Sequence, residues 1–196
     1  MLTYERIQLR PLAQTDTALI IKWRNDPQVM RGLHRSIQLT AEEHLQWFDR
    51  LQQPKELRKK KRLEFVIETV EGQVPIGTVG LSGIDHEHRR AEYGILIGEE
   101  RFRKRGYAKE ATIALLNYAF GELNLWRVYL RVMPHLEEAI GLYTRIGFIR
   151  EGLLRNELFR KEQFEDVVVM SLLRPEWERL AATLTPTGLT ERRWPT

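Results

Sequence analysis

Arg101-Phe102-Arg103-Lys104-Arg105-Gly106-Tyr107-Ala108-Lys109-Glu110-Ala111 joins a strand-like stretch to a helix-like one. Upstream, residues 91–98 alternate as a strand does, with Ala91, Tyr93, Ile95 and Ile97 on one face and Glu92, Gly94, Leu96 and Gly98 on the other. Downstream, Ala108, Ala111, Leu115, Leu116, Ala119, Phe120 and Leu123 recur at helical spacing and predict an amphipathic helix. A helix start presents unpaired backbone N–H groups and the positive end of the macrodipole, so backbone alone can hold an anion there. Gly106 lets the chain bend or be approached closely. Arg101, Arg103, Lys104 and Arg105 attract a polyphosphate, yet in a first helical turn such cations oppose the dipole until an anion sits among them. A solvated basic turn would carry the same charges; the strand, turn and helix setting favours the anion site.

The 196 residues suit one domain with a sizeable core. Composition is 42% apolar and 30% charged, and no apolar run approaches the roughly 18 residues of a membrane span. The segment Met1-Leu2-Thr3-Tyr4-Glu5-Arg6 lacks signal-peptide form, so a cytoplasmic protein is expected. The absence of cysteine excludes disulfides, thiolate zinc sites and a cysteine nucleophile. A net charge of +4 permits a nucleic-acid partner, but the basic residues are spread out and interleaved with acids, and a local phosphate ligand explains them as well. The basic run 55–62 reads as a solvated loop. His86 and His88 have strand spacing for a metal pair, but with no third ligand in view no metal is expected.

In chain order, Ile7 and Leu9 mark a first strand stopping at Pro11. A helix capped by Thr15 or Asp16 follows and ends at Asn25-Asp26-Pro27. Thr40-Ala41-Glu42-Glu43 is a capping box opening a second helix, with Leu45, Phe48 and Leu51 inward. Residues 63–70 and 74–83 read as antiparallel strands, and 125–132 as a further strand with Trp126, Val128, Leu130 and Val132 on one side. Ala139, Leu142, Tyr143 and Ile146 form a helical stripe ended by Gly147, and 148–156 and 167–173 finish the sheet. From Pro175 a helical turn and a loose tail are expected, giving a domain over 1–174 and a tail over 175–196.

Arg103-Lys104-Arg105-Gly106-Tyr107-Ala108 matches the pattern [Q/R]-x-x-G-x-[G/A] of the Gcn5-related N-acetyltransferases. Downstream, Ala139-Ile140-Gly141-Leu142-Tyr143-Thr144-Arg145-Ile146-Gly147-Phe148 resembles that family's A-I-x-L-Y-x-x-x-G-F segment. Over residues 7–173 the resemblance implies an α+β fold: a mixed, mostly antiparallel, seven-stranded sheet with about four helices on its faces, splayed between its fourth and fifth strands, here 91–98 and 125–132. It implies acetyl-coenzyme A as cosubstrate. The pyrophosphate would lie at Arg101, Arg103, Lys104, Arg105, Gly106, Tyr107 and Ala108, and the pantetheine amides on the backbone of Ile95, Leu96 and Ile97, with Gly94 and Gly98 allowing close approach. Tyr143 would be the general acid near the coenzyme sulfur. Two positions depart from the pattern: Lys104 stands where many relatives have glycine, and Leu136 where many have asparagine, with His135 beside it as a substitute polar group.

Without cysteine, transfer would be direct. A primary amine has a pKa near ~10.4, so at neutral pH only about one in a thousand molecules is the free base, equivalent to ~4 kcal/mol. Glu92 is the candidate base, acting directly or through water; the alternative is a charge partner for Arg89 or Arg90. The acceptor has competing signals. Trp23-Arg24-Asn25-Asp26-Pro27 resembles acetyltransferases of nucleotide-linked amino sugars, with Trp23 or Trp47 stacking and Arg24 meeting phosphate, unless both tryptophans pack the helices. By contrast, the stretch from Ile84 to Tyr93 resembles spermidine acetyltransferases, with Asp85, Glu87 and Glu92 neutralising a polyamine. Enzymes acetylating ribosomal N-termini share the layout. The expected activity is acetyl transfer to a primary amine, of a polyamine or nucleotide-linked amino sugar; the alternatives are a ribosomal N-terminus or a non-catalytic module binding coenzyme A or RNA. An exposed edge near the C-terminal hairpin suggests a homodimer; neither membrane nor nucleic acid is expected as a partner.

Overall fold

The computed structural model describes residues 1–34, 38–51 and 61–183. Most of the basic run 55–62 and the end of the expected tail lie outside them. Eight strands form one sheet in the order β1-β2-β3-β4-β5-β6-β8-β7. They are β1 (Leu2–Tyr4), β2 (Ile7–Pro11), β3 (Leu63–Thr69), β4 (Pro75–Asp85), β5 (Arg90–Ile97), β6 (Arg127–Val132), β7 (Ile149–Arg160) and β8 (Gln163–Leu173). Every neighbouring pair is antiparallel except β5 and β6. The expected mixed α+β architecture is present with one strand more. That strand, β1, is too short to show an alternation, and it turns back into β2 through Glu5 at φ 49°.

Among the described residues, six helices cover the sheet: α1 (Thr17–Arg24), α2 (Pro27–Met30), α3 (Ala41–Leu51), α4 (Tyr107–Phe120), α5 (Glu137–Ile146) and α6 (Arg174–Ala181). Two exceed the expectation. Asp26 and Pro27, which end α1, also start α2, because the Asp26 carboxylate accepts the Gln28 N–H at 2.8 Å. The turn expected at Pro175 is the full helix α6: Glu176 accepts the Leu173 N–H at 2.8 Å, and buried Trp177 stacks on Phe120 with ring centres 6.3 Å apart.

The sheet buries both faces. On one, Ala91, Tyr93, Val128 and Leu130 pack with Leu115, Leu116, Phe148 and Trp177. On the other, Leu12, Ile20, Trp23, Phe48 and Val66 form a smaller cluster reached by Leu96. Helix α4 is not amphipathic: Ala111, Thr112, Ile113, Ala114, Leu115 and Leu116 are all buried, because the positions between the expected stripe are also apolar and meet neighbouring elements. Two smaller expectations fail. Leu125, not Trp126, points inward at the start of β6, where Asn124 at φ 52° shifts the chain. In α3 the buried residues are His44 and Phe48, with Leu45 and Leu51 half-buried.

The parallel ladder pairs Arg90 with Arg127, Ala91 with Val128 and Glu92 with Tyr129, and goes no further. Beyond it β5 stays paired to β4 and β6 to β8, and the sheet opens.

Candidate active site

The opening is a cleft of about 1120 Å³. It runs from Lys104, Gly106 and Ala108 at the start of α4, past the parted strands, to Arg24, His34, Arg62 and Ser82. At its first end the chain turns through Lys104 (φ 59°) and Gly106 (φ 91°) into α4. Among the described residues no acceptor takes the N–H groups of residues 104 to 109; the N–H of Glu110 is the next to be bonded, to the Gly106 carbonyl at 3.2 Å. Successive unpaired N–H groups with a left-handed residue between them form an anion-binding nest.

The side chains of this turn serve its frame. The Arg103 guanidinium donates to the carbonyls of Ile97 (3.0 Å) and Gly98 (2.7 Å), to Asp26 (2.6 Å) and to Gln28 (2.9 Å), tying the turn to β5 and α2. Its bonds therefore lie within the protein, not toward the nest. Lys104 pairs with Glu138 at 2.6 Å, both largely exposed, and Arg101 lies over the Phe102 ring. Arg6, from the β1–β2 turn, holds the opposite side: it donates to the Glu110 carboxylate and the Arg105 carbonyl and sits 4.3 Å over Tyr107. Nothing local in the sequence marks Arg6, whose partners are about a hundred residues away.

Along β5, Ile95, Leu96 and Ile97 line the cleft with an edge that β6 does not pair. A methyl at Gly94 would meet nothing within 4 Å, so that position is open to a ligand. Gly98 has another reason: a Cβ there would run into the Trp23 ring. Trp23 is 1% exposed and donates its indole N–H to Glu99 at 2.8 Å, which makes it a core residue; its expected stacking on substrate is corrected in favour of the packing alternative. Trp47 is half-buried against His44, with Arg62 over its ring. Arg24 does line the cleft. Asp85 and Glu87 do not: they belong to the β4–β5 turn, where Asp85 accepts the His88 N–H at 2.9 Å.

Glu92 faces the cleft where the strands part, and its Oε1 accepts from Arg131 Nε at 2.9 Å; Arg131 also reaches Glu157 at 3.1 Å. The charge partner is thus Arg131 of β6, whereas Arg89 bonds Asn124 and Arg90 lies near Asp85. Tyr143 packs on Tyr93 and Phe148 with ring centres 6.0 and 5.9 Å away, and lines the cleft. Burial pushes its phenol up to about 12, and its hydroxyl makes no hydrogen bond among the described residues. Leu136 is half-buried at the start of α5 and packs on the core; exposed His135 lines a separate hollow of about 340 Å³ beside Met30 and Arg160. One cleft residue had no motif to announce it: His34, beside Arg131 and Glu92.

The nest and the open strand edge fit a long ligand with phosphates at one end and amides in its middle, which is the form of coenzyme A. The family model described as an acetyltransferase (GNAT) domain matches residues 6–149. Spermidine N(1)-acetyltransferase of Escherichia coli K12 is 32% identical over 180 residues, 92% of this chain and 91% of the relative. The crystal structure of spermidine N-acetyltransferase from Vibrio cholerae in complex with CoA and spermine superposes with a TM-score of 0.80 at 28% identity, covering 88% of this chain and 98% of that one. A dodecameric structure of the Vibrio cholerae enzyme gives 0.73 at 27% identity over 88% and 96% of the two chains. The chain belongs to the GNAT acetyltransferases and is an acetyl-CoA-dependent N-acetyltransferase.

Proposed function

We propose that the acceptor is a small-molecule amine of the polyamine class. The observation that carries this is the likeness to the spermidine enzymes over about nine-tenths of both chains. Bound acetyl-CoA would supply an activated thioester. The nest at residues 104–109 holds the diphosphate and the edge of residues 95–97 aligns the chain between phosphate and sulfur. Such alignment is worth up to ~7 to 11 kcal/mol. Glu92 faces the arriving ammonium. The Tyr143 hydroxyl, pushed up to about 12, is a hydrogen-bond donor to the sulfur, not a source of a freely transferred proton, since a thiol near ~8.5 is the stronger acid.

A second reading rests on the charges at the acceptor end. Arg24, Arg62 and Arg131 line it, while Glu64 lies 3.4 Å from Arg62 and Glu92 is bonded to Arg131. An amine that also carries phosphate, such as a nucleotide-linked amino sugar, complements such a surface. Thiol release from acetyl-CoA, compared across spermidine, spermine, a nucleotide-linked amino sugar and ribosomal N-terminal peptides, separates them. The polyamine reading predicts the highest kcat/KM for spermidine or spermine; a preference for the sugar nucleotide selects the second, and a preference for a peptide would overturn both.

We further propose a cytoplasmic enzyme, where acetyl-CoA is available, assembled as a homodimer through β7. That edge strand exposes Ile149, Leu153 and Leu154, and Phe159 and Phe164 stand 4.9 Å apart near its hairpin tip. Sedimentation of the purified chain checks the assembly; a monomer at micromolar concentration would contradict it.

A further inference from the structure

The segment leaving α2 is anchored on β7, outside the cleft. The Leu33 carbonyl accepts from the guanidinium of Arg160 on β7, a nearly buried side chain whose other nitrogens are held by Glu165. That anchor sets the next residue, His34, into the cleft wall. Among the described residues, the charged groups facing its ring are Glu92 of β5, Arg131 of β6 and Arg160 of β7, and Glu157 of β7 stands behind Arg131.

We propose that His34 is the general base that takes a proton from the acceptor ammonium. This rests on the reading of the cleft as an amine-acetylating site. The proton acceptors lining the cleft among the described residues are Glu64, Glu92, Glu137, Glu138 and His34. Glu64 and Glu92 are engaged by Arg62 and Arg131, and Glu137 and Glu138 belong to the start of α5, beside the nest. His34 is at the acceptor end, and burial, with Arg131 and Arg160 adding to it, holds its imidazole below the ordinary histidine range, so it is uncharged and receptive at neutral pH. Glu92 and a hydrogen bond to the Arg131 backbone oppose that trend, and Glu92 stabilises the imidazolium once it forms.

The balance closes. The ammonium gives one proton to His34 and becomes the nucleophile. As the carbon–nitrogen bond forms and the carbon–sulfur bond breaks, a second proton from the same nitrogen ends on the coenzyme sulfur. His34 then returns its proton to solvent.

The test is His34→Gln in the full chain, read by coenzyme A calorimetry, by the pH profile of kcat/KM for the best acceptor, and by the NMR titration of the His34 ring in the wild type. The expected results are unchanged coenzyme affinity, kcat lower by ~10² or more, and loss of the acid limb that the wild type shows at the pH where its His34 titrates. Glu92→Gln should keep that limb and move it to lower pH, because Glu92 raises the His34 value. An acid limb unchanged in His34→Gln, with coenzyme binding intact, would overturn the assignment alone. A wild type that binds acetyl-CoA and releases no thiol with any amine would overturn the transfer reading and His34's role with it.

Discussion

Tyr143 shows how burial decides a role. Its phenol, raised to about 12, keeps its proton throughout the working pH range, so in the proposed mechanism what it would offer the sulfur is a directed hydrogen bond. Such a bond to developing charge is worth about 1.5 to 3 kcal/mol. Tyr143→Phe should therefore lower kcat by roughly 10- to 100-fold with coenzyme affinity unchanged in calorimetry; equal kcat for the two proteins would remove it from the mechanism. Lys104 makes a separate point. Its left-handed backbone explains why glycine suits the position, and its ion pair to Glu138 is too exposed to repay the strain. Lys104→Gly should stabilise the protein by up to about 1 kcal/mol in denaturant titration. Tyr143 and Gly147 could be read from the sequence because their spacing along one helix is local. Arg6, Arg103 and His34 could not be assigned their contacts, since those come from elements up to about a hundred residues away.

Helix α1 packs closely on the end of β5, with the Trp23 ring against Gly98 just past the strand and Leu96 beside the same cluster. Gly98→Ala should cost about 1 to 3 kcal/mol in thermal or chemical unfolding, because the added methyl displaces a fully buried indole; a wild-type midpoint would show that the ring can move aside. Strand alternation located β5, and the capping box located α3, whose Thr40 and Glu43 bond reciprocally at 3.2 and 3.0 Å. Helical spacing failed to give an amphipathic stripe where an element is covered on most sides, as in α4, and alternation failed where a strand is too short, as in β1. The β7–β8 hairpin extends beyond its expected ends for a related reason. It turns on Lys161 and Glu162, both left-handed, and neither is a residue that advertises such a turn.

For the molecule as a whole, the splay between β5 and β6 followed from family resemblance; periodicity predicts the strands but not where a parallel pair stops. The fold also carries a pH dependence. Burial lowers His44, with Arg24 adding, and burial lowers His34. In both, the folded value lies below the unfolded one of about 6.5, so unfolded chain binds more protons in the acid direction. Their stabilisation is present above about pH 6.5 and is lost as pH falls through the folded values. The thermal midpoint should drop between pH 7 and 5, and His44→Leu should flatten part of that drop; an equal slope in the variant would assign it elsewhere.

The central claim is that coenzyme A lies in the splay with its phosphates on backbone N–H groups. Amide hydrogen exchange with and without coenzyme A tests it at the atoms concerned. The account predicts slowed exchange at residues 104–109 and along 95–97, and unchanged exchange at the exposed β7 edge. Saturating coenzyme that left 104–109 unprotected, or protected another surface instead, would contradict it.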